Sequence, residues 1–547
     1  MNRGGRVTIR PPMLYATETF SPGEVEILER YFTNVDRPVF ALVNLPEVVK
    51  GALFARYSRT HKSLRRLFLD EFADDVDAAG DGPDETTIGV GRAEQLYDKV
   101  FLEYGDDSVA QLGGVHLACE QASNVLTKVL EWGRLMAYLE QSTRYIAYDA
   151  RLDGRYRYWR DPQVLDSPLG ARYVAAMDAL FDGYAAALPK VMEWARQTFP
   201  KEPADSDLVW RQTIKAKACD AVRGMLPAAS LSNVGIYGTG QAYEALLLRM
   251  RAHPLPEVRR YAQMMLEELR LVIPAFLKRV DREDRGGAWS AYLAERRERT
   301  AEMTAHLLAG AEPEPRPSVT LVDFDPDGED KVLAAILYSA SDLPEDQLAA
   351  RVRTLAPEER FALLDAYVGE RGNRRHKPGR AFERTGYRFD VLADYGAFRD
   401  LQRHRLLTIE WQPLSTRHGY EVPPAVAEAG VADLFEEAMA TSASLYEEMS
   451  GPFPLQAAYA VALAYRIRFT MQMNAREAMH VLELRTGPQG HPAYRAVCLE
   501  MWRLIRDQAG HHGLAEAMRF VDAGDYELGR LGAERLAEAR RSVGDAR

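Results

Sequence analysis

With 547 residues, of which 47% are hydrophobic, the chain is too long for a single hydrophobic core and is expected to form two or more domains. No run of about 18 apolar residues occurs, residues 1–20 lack the apolar centre of a secretory signal, and the three cysteines are scattered. We therefore expect a cytoplasmic protein with no membrane contact, no disulfide framework and no metal site. The formal net charge of −11 disfavours nucleic acid as a partner, so a phosphate-bearing ligand is expected to be small and held by a local arginine cluster.

Amphipathic helices and a few strands are predicted along the chain. Residues 168–199 and 258–280 place apolar side chains at steps of three and four residues, which is typical of helices. Residues 113–122 (GGVHLACEQA) and 385–395 (TGYRFDVLADY) alternate apolar and polar side chains, which predicts strands. We expect an α+β fold in which long helices pack around small, mostly antiparallel sheets.

The sequence contains a long internal repeat. Its landmarks keep their order in both copies, while their separation shrinks from 281 to 273 and then to 235 positions. The matched pairs are Tyr57 and Tyr338, followed by Ser58 and Ser339, then Ser142 and Ser415, then Gln241 and Arg476. This pattern predicts a duplication in which the first copy has longer loops.

The repeat gives a domain prediction. We expect an N-terminal extension at residues 1–35, a first unit (copy one) at 36–308, a linker rich in proline and charge at 309–319, and a second unit (copy two) at 320–547.

Hydrogen-bond donors are concentrated in a few short stretches. The arginines of Arg403-His404-Arg405 cannot be buried without a partner, so water or an anion must meet them. On a predicted helix, Arg476 and His480 are i, i+4 neighbours that share one face. Asparagine is suited to the edge of a heterocycle and arginine to phosphate, so this set indicates a nucleotide or cofactor site.

These motifs together resemble the flavin-dependent thymidylate synthases. The resemblance rests on the RHR with its following Ser-x-Arg, the NAR-x-x-x-H-x-x-x-LR helix and an Arg-x-x-Leu-Pro stretch, and it covers nearly the whole chain twice, as a tandem fusion of two degenerate family units. It implies FAD as cofactor, NADPH and methylenetetrahydrofolate as co-substrates, and dUMP as the nucleotide. Family enzymes are homotetramers with active sites built from several subunits, which implies a homodimer for a fused chain.

Each copy departs from the family pattern where the other keeps it. Copy one has the family's seven residues between Arg134 and Ser142, but Trp132-Gly133 replaces the leading Arg-His. Copy two keeps the RHR but has nine residues before Ser415, and it has no arginine equivalent to Arg223. We therefore expect complete sites to be assembled from both halves.

The resemblance also implies residue roles. The residues expected to bind the flavin cofactor are Arg403, His404, Arg405, Asn474, Arg476, His480 and His376. The residues expected to bind the nucleotide are Ser142, Arg144, Arg223, Arg485, Ser415 and Arg417. No protein nucleophile is implied. Two alternatives stay open: a related flavin enzyme that acts on another pyrimidine or one-carbon donor, and an inactive binding or assembly module.

Overall fold

A computed structural model describes residues 18–57, 60–71 and 111–544. Residues 1–17 of the predicted extension, and the predicted match at Ser58, lie outside the described residues. The helices and strands up to residue 307 are α1 (Pro22–Tyr31), α2 (Glu47–Tyr57), α3 (Leu64–Glu71), β1 (Gly114–Ser123), α4 (Asn124–Leu130), β2 (Met136–Glu140), α5 (Pro162–Leu165), α6 (Gly170–Thr198), α7 (Asp207–Val222), β3 (Leu231–Thr239), α8 (Gly240–Arg251), α9 (Pro256–Val272) and α10 (Ala288–Leu307).

Copy two continues with a similar succession of elements. They are β4 (Val319–Phe324), α11 (Gly328–Tyr338), α12 (Glu345–Val352), α13 (Pro357–Val368), β5 (Gly386–Asp394), α14 (Tyr395–Leu401), β6 (Thr408–Trp411), α15 (Pro424–Glu428), α16 (Ala432–Ser450), β7 (Arg466–Asn474), α17 (Ala475–Arg485), α18 (Pro492–Asp507), α19 (His512–Ala517) and α20 (Leu531–Gly544). Residues 309–318, between the copies, contain neither helix nor strand.

The predicted elements are found with small differences. β1 and β5 occupy the two predicted strand segments, and in β5 the side chains of Tyr387, Phe389 and Val391 are buried alternately. Helix α6 covers the predicted residues 168–199 almost completely. In the predicted helical residues 258–280, α9 ends at Val272 and a short 3-10 helix, Pro274–Leu277, follows, since Pro274 has no backbone N–H to donate.

Two small antiparallel sheets confirm the α+β class. Strand order is β1-β3-β2 in copy one and β4-β5-β7-β6 in copy two. Apart from the added edge strand β4, the two sheets have the same order of equivalent strands. The repeat predicted from sequence is therefore visible as a repeated strand order.

The ends of the helices also agree with the alignment of the two copies that was predicted from the sequence. Tyr57 and Tyr338 both end helices, α2 and α11. Thr239 and Asn474, which lie 235 positions apart, are the N-cap residues of α8 and α17. Each accepts a hydrogen bond from the backbone N–H three residues on, as N-cap side chains do.

The two copies pair through equivalent backbone segments, residues 224–229 and 459–464. The matched hydrogen bonds are Ala228 N–H to the Val461 carbonyl at 2.8 Å and Leu463 N–H to the Leu226 carbonyl at 2.9 Å. Pro227 and Ala462, 235 positions apart, form a bridge with each other. Because each bond recurs with the copies exchanged, a local two-fold axis passes between Pro227 and Ala462.

The chain divides into two compact units that do not coincide with the copies. The first unit comprises the described residues up to 118, with 135–138 and 235–306, and in it α8 packs against α9. The second comprises the described residues 119–134, 139–234 and 307–544, and in it α6 packs against both α7 of copy one and α16 of copy two. The segments of copy one that carry Ser142, Arg144 and Arg223 thus fold together with copy two.

Candidate functional site

The Arg403-His404-Arg405 segment begins just after α14, a short helix capped by Asp394, whose carboxylate accepts from the Ala397 N–H at 2.8 Å. Arg403 donates to Glu140 at 2.5 Å, and Glu140 lies at the end of strand β2 of copy one. The guanidinium of Arg405 is exposed. The copy-two motif is therefore held in part by a carboxylate from copy one.

Glu140 is the centre of a buried charge cluster. Besides Arg403, it accepts hydrogen bonds from Arg399 at 2.8 Å and Lys128 at 3.4 Å, and Lys128 also pairs with Glu131 at 2.6 Å. Burial alone would raise the pKa of Glu140, but the neighbouring cations Arg399, Lys128 and Arg403 hold it well below its usual value. Glu140 is therefore ionised and fixes the two arginines.

His404 is buried between Arg485 and Glu477. The Arg485 Nε–H donates to His404 Nε2 at 2.9 Å, so the proton of the neutral ring is on Nδ1, which lies 3.7 Å from the Glu477 carboxylate. Burial and the nearby charge of Arg485 hold the pKa of His404 well below its usual value, and burial lowers the pKa of His480 to about 4. The two histidines are neutral hydrogen-bonding groups at neutral pH.

His404, Glu477 and His480 have the composition of a metal site, because their ligand atoms all lie within 4.8 Å of one another. The position of the proton on the His404 ring argues against metal binding by this cluster. A metal at Nδ1 of His404 would require the proton on Nε2, where Arg485 already donates. We therefore assign this cluster to hydrogen bonding.

The other residues predicted to bind the cofactor are spread around α17. Asn474 uses its side-chain oxygen to cap that helix. Arg476 donates from Nε to the Pro378 carbonyl at 2.9 Å and lies 3.5 Å from Glu383. His376 is exposed and is held in a local turn by Asn373.

A second group of arginines converges on two aspartates. Arg144 of copy one forms a bidentate pair with Asp220 at 2.7 and 2.8 Å and also donates to the Tyr494 hydroxyl of copy two at 2.9 Å. The Ser142 hydroxyl accepts from the Arg144 N–H at 3.3 Å and shapes the local turn. Arg144 is thereby fixed by side chains from both copies.

Arg223 of copy one and Arg485 of copy two share Asp400. Arg223 Nη1 donates to the Asp400 carboxylate at 3.4 Å, while Arg485 donates to the Asp400 carbonyl at 2.5 Å and lies 3.9 Å from its carboxylate. Burial would raise the pKa of Asp400, but Arg223 and Arg485 hold it far below its usual value. Arg144 and Arg485 also flank the Tyr494 ring, with guanidinium carbons 5.6 and 5.4 Å from the ring centroid.

The structure therefore brings Arg144, Arg223 and Arg485 together, with His404 beside them. Ser415 and Arg417 make a local contact with each other, in which the serine hydroxyl accepts from the Arg417 N–H at 3.4 Å, and Arg417 is exposed.

A cavity of about 810 Å³ opens beside this cluster. Arg144 and Arg223 line it, together with Asp220, His491 and several apolar side chains. Sequence reasoning missed the aspartates, although a signal was present: Asp220 precedes Arg223 by three positions, and Asp400 precedes Arg403 by three. Glu140 and Tyr494 had no comparable signal.

None of the helices in residues 18–57, 60–71 and 111–544 combines the length and the apolarity that a bilayer-crossing segment needs.

Comparison with known proteins gives consistent matches. The profile of one family, described as thymidylate synthase complementing protein, matches the chain twice, over residues 53–275 and 320–509. A UPF0159 protein of Chlamydia muridarum is 37% identical over 536 residues, which is 96% of this chain and 100% of the relative. UPF0159 proteins of Chlamydia pneumoniae and Thermoplasma acidophilum are 38% and 32% identical, over 96% and 89% of this chain and 99% and 97% of the relatives.

The partly buried His491 leads to a prediction about the pH dependence of stability. The Ala493 N–H donates to its Nδ1, its Nε2 faces the Asp220 carbonyl at 3.2 Å, and burial lowers its pKa to about 3. The unfolded chain binds a proton at His491 below a pH of about 6.5, whereas the folded chain does not until a pH of about 3. Neutral His491 therefore contributes to the free energy of unfolding above pH 6.5. This contribution decreases as the pH is lowered, by about 2 kcal/mol between pH 7 and pH 5.

The measurement is urea unfolding at pH 7, 6 and 5. His491→Asn, which keeps a helix-capping oxygen, should lose free energy of unfolding less steeply than the wild type over this range. His306→Asn, at an exposed position, is the control and should follow the wild type. Parallel curves for His491→Asn and the wild type would contradict the assignment.

Proposed function

The chain belongs to the thymidylate synthase complementing protein family, and on that basis we propose that it is an FAD-dependent enzyme that methylates dUMP to dTMP. Methylenetetrahydrofolate would supply the one-carbon unit and NADPH the reducing equivalents. Each working site would combine residues of both copies, and the protein would act as a homodimer. The proposal follows the family resemblance of the motifs and the placement of their arginines.

One observation carries the proposal: Arg223 of copy one and Arg485 of copy two meet at the same residue, Asp400. The two arginines come from the two motifs that are each kept in one copy only. Their meeting supports a composite nucleotide site, in which two guanidinium groups bind one phosphate or stabilise negative charge that develops on the pyrimidine ring.

The residues near α17 fit a flavin dinucleotide in their donor chemistry. Arg476 offers a guanidinium suited to a pyrophosphate, and neutral His480 offers ring nitrogens suited to the polar edge of an isoalloxazine. The ring nitrogens of His404 already face Arg485 and Glu477, so a cofactor bond to His404 would replace one of these contacts. Arg403 Nε is buried and has no hydrogen-bond acceptor among the described residues. These four residues would hold the cofactor, which would supply the electrons for the methyl transfer.

The protein groups would orient and stabilise and would not attack the substrate. Ser142 holds the turn that carries Arg144, since its hydroxyl accepts the Arg144 N–H. Asp220 and Asp400 fix the guanidinium groups in advance, which lowers the cost of ordering them when an anion binds.

The same charge pairs favour a second candidate, an inactive binding or assembly module. Arg144, Arg223 and Arg485 all have carboxylate partners in the structure. In that case, the arginines serve stability, because a buried cation left without its partner is costly. Nucleotide binding by the purified protein separates the two candidates.

Flavin binding should depend on copy two. Arg476→Ala should release FAD, because this residue supplies the guanidinium assigned to the cofactor. Gln241→Ala is the matched control, since Gln241 is the equivalent second residue of α8. Visible absorbance after gel filtration measures the retained flavin, and circular dichroism checks folding. Equal retention in the two variants would refute the assignment.

Nucleotide binding should depend on both copies at once. Arg223→Gln and Arg485→Gln should each raise the Kd for dUMP about tenfold, since a charge-assisted hydrogen bond contributes about 1.5–3 kcal/mol. The double variant should lose less binding free energy for dUMP than the two single variants lose in sum, because the contacts of two guanidinium groups with one anion are coupled.

Calorimetric titration of dUMP into the three variants tests this coupling. Arg172→Gln is the control, since it removes an exposed ion pair with Glu448 that joins the same two copies. Unchanged affinity for dUMP in folded Arg223→Gln would mean that Arg223 of copy one does not bind the nucleotide, and the proposal of a composite site would be wrong.

Assembly gives a further test. Two family units in one chain imply that a homodimer reproduces the four-unit assembly of the family. Light scattering at micromolar concentration should give twice the mass of the 61.5 kDa chain. A monomer under these conditions would contradict the proposed assembly.

A further inference from the structure

The C-terminal segment carries an arginine into the same cavity as Arg144 and Arg223. This residue, Arg530, lies beyond residue 509, where the family match ends. Neither the sequence motifs nor the family match assigns it a role.

Contacts on both sides fix the position of this segment. Before Arg530, the chain is held by Arg495, whose Nη2 donates to the carbonyls of Asp522 at 3.2 Å and Gly524 at 2.8 Å. After it, helix α20 packs against α7, and Arg535 pairs with Asp205 at 2.5 Å. Arg530 is therefore presented to the cavity by a segment anchored at two points.

The contacts of Arg530 leave part of its hydrogen-bonding capacity unused. Only 6% of the residue is exposed, and its guanidinium lies 4.1 Å from the centroid of the Tyr145 ring. Nη1 donates to the Arg144 carbonyl at 3.2 Å, and Nη2 contacts both carboxylate oxygens of Asp220 at 3.3 Å. Its Nε is buried and has no acceptor among the described residues.

Asp220 cannot compensate Arg530 fully, because it already forms a shorter bidentate pair with Arg144. Arg223, which lines the same cavity, also has a buried nitrogen, Nη2, that has no acceptor in the part of the chain that the structure describes. Two arginines that line one cavity thus each have a buried donor without an acceptor among the described residues. Unpaired buried donors are rare in proteins, and a ligand anion with several oxygens would satisfy both.

We propose that Arg530 binds the phosphate group of the ligand, a phosphate monoester, together with Arg144 and Arg223. The identity of that monoester as dUMP rests on the proposed function. The nucleotide site then includes a residue from outside the family-matched region, and the C-terminal segment is part of the binding site as well as of the fold.

The test uses the full chain and four proteins: wild type, Arg530→Gln, Arg530→Lys and Arg540→Gln. The last is the control, because it removes an equal charge from the same segment at an exposed position of α20 that neither lines the cavity nor anchors Arg530. Each protein is titrated calorimetrically with dUMP, with deoxyuridine, which lacks the phosphate, and with ribose 5-phosphate, which lacks the pyrimidine. Thermal melting reports folding.

Arg530→Gln is expected to raise the Kd for dUMP about tenfold and to leave the affinity for deoxyuridine unchanged. The Kd of Arg530→Lys for dUMP should lie between those of Arg530→Gln and the wild type, since lysine keeps the charge but lacks the planar guanidinium group. Arg540→Gln should bind like the wild type. Wild-type affinity for dUMP in folded Arg530→Gln would overturn the inference.

The design also separates this inference from the proposed function. If the wild type binds ribose 5-phosphate in an Arg530-dependent way but does not bind dUMP, the phosphate role of Arg530 stands and the proposed substrate is wrong. If neither phosphate-bearing probe binds the wild type, the phosphate role itself is refuted.

Discussion

The backbone pairing between residues 224–229 and 459–464 constrains most of what surrounds the candidate site. These segments satisfy each other's hydrogen bonds across the local two-fold axis at Pro227 and Ala462. Because a buried backbone group without a partner is costly, neither segment can separate from the other without a large loss of stability. The pairing therefore holds Arg223, at the edge of one segment, beside Asp400 at the end of α14, which Arg485 at the end of α17 also contacts.

Around this axis the backbones of the two copies correspond, but the side chains at the candidate site differ between them. The strand order and the helix caps of the two copies correspond, but Trp132 and Gly133 occupy the places that Arg403 and His404 have in copy two. Copy one instead contributes Glu140, which holds Arg399 and Arg403 in a buried cluster. A backbone repeat can thus persist while one copy loses the cations of a motif and supplies a carboxylate that positions the cations of the other copy.

Two aspartates hold the other arginines of the candidate site, and one of these ion pairs, Arg223 with Asp400, joins the two copies. Asp220 of copy one fixes Arg144, and Asp400 of copy two fixes Arg223 and Arg485. Carboxylates of this kind hold guanidinium groups in place before a ligand arrives, at the cost of competing with it for charge. A small anion that binds here gains from preorganised donors and does not have to order flexible side chains.

The sequence by itself determined the repeat, the α+β class, the strands at β1 and β5 and the residue types of the site, because hydrophobic periodicity and local motifs depend on neighbours along the chain. It also identified Arg144, Arg223 and Arg485, which the structure brings together. Only the tertiary structure decided the contacts of the site: Tyr494 and Arg530 reach Arg144, and Glu140 reaches Arg403, from positions that no local pattern marks. Ion pairs between residues hundreds of positions apart depend on how the copies pack, and that packing also leaves Arg417 and His376 exposed.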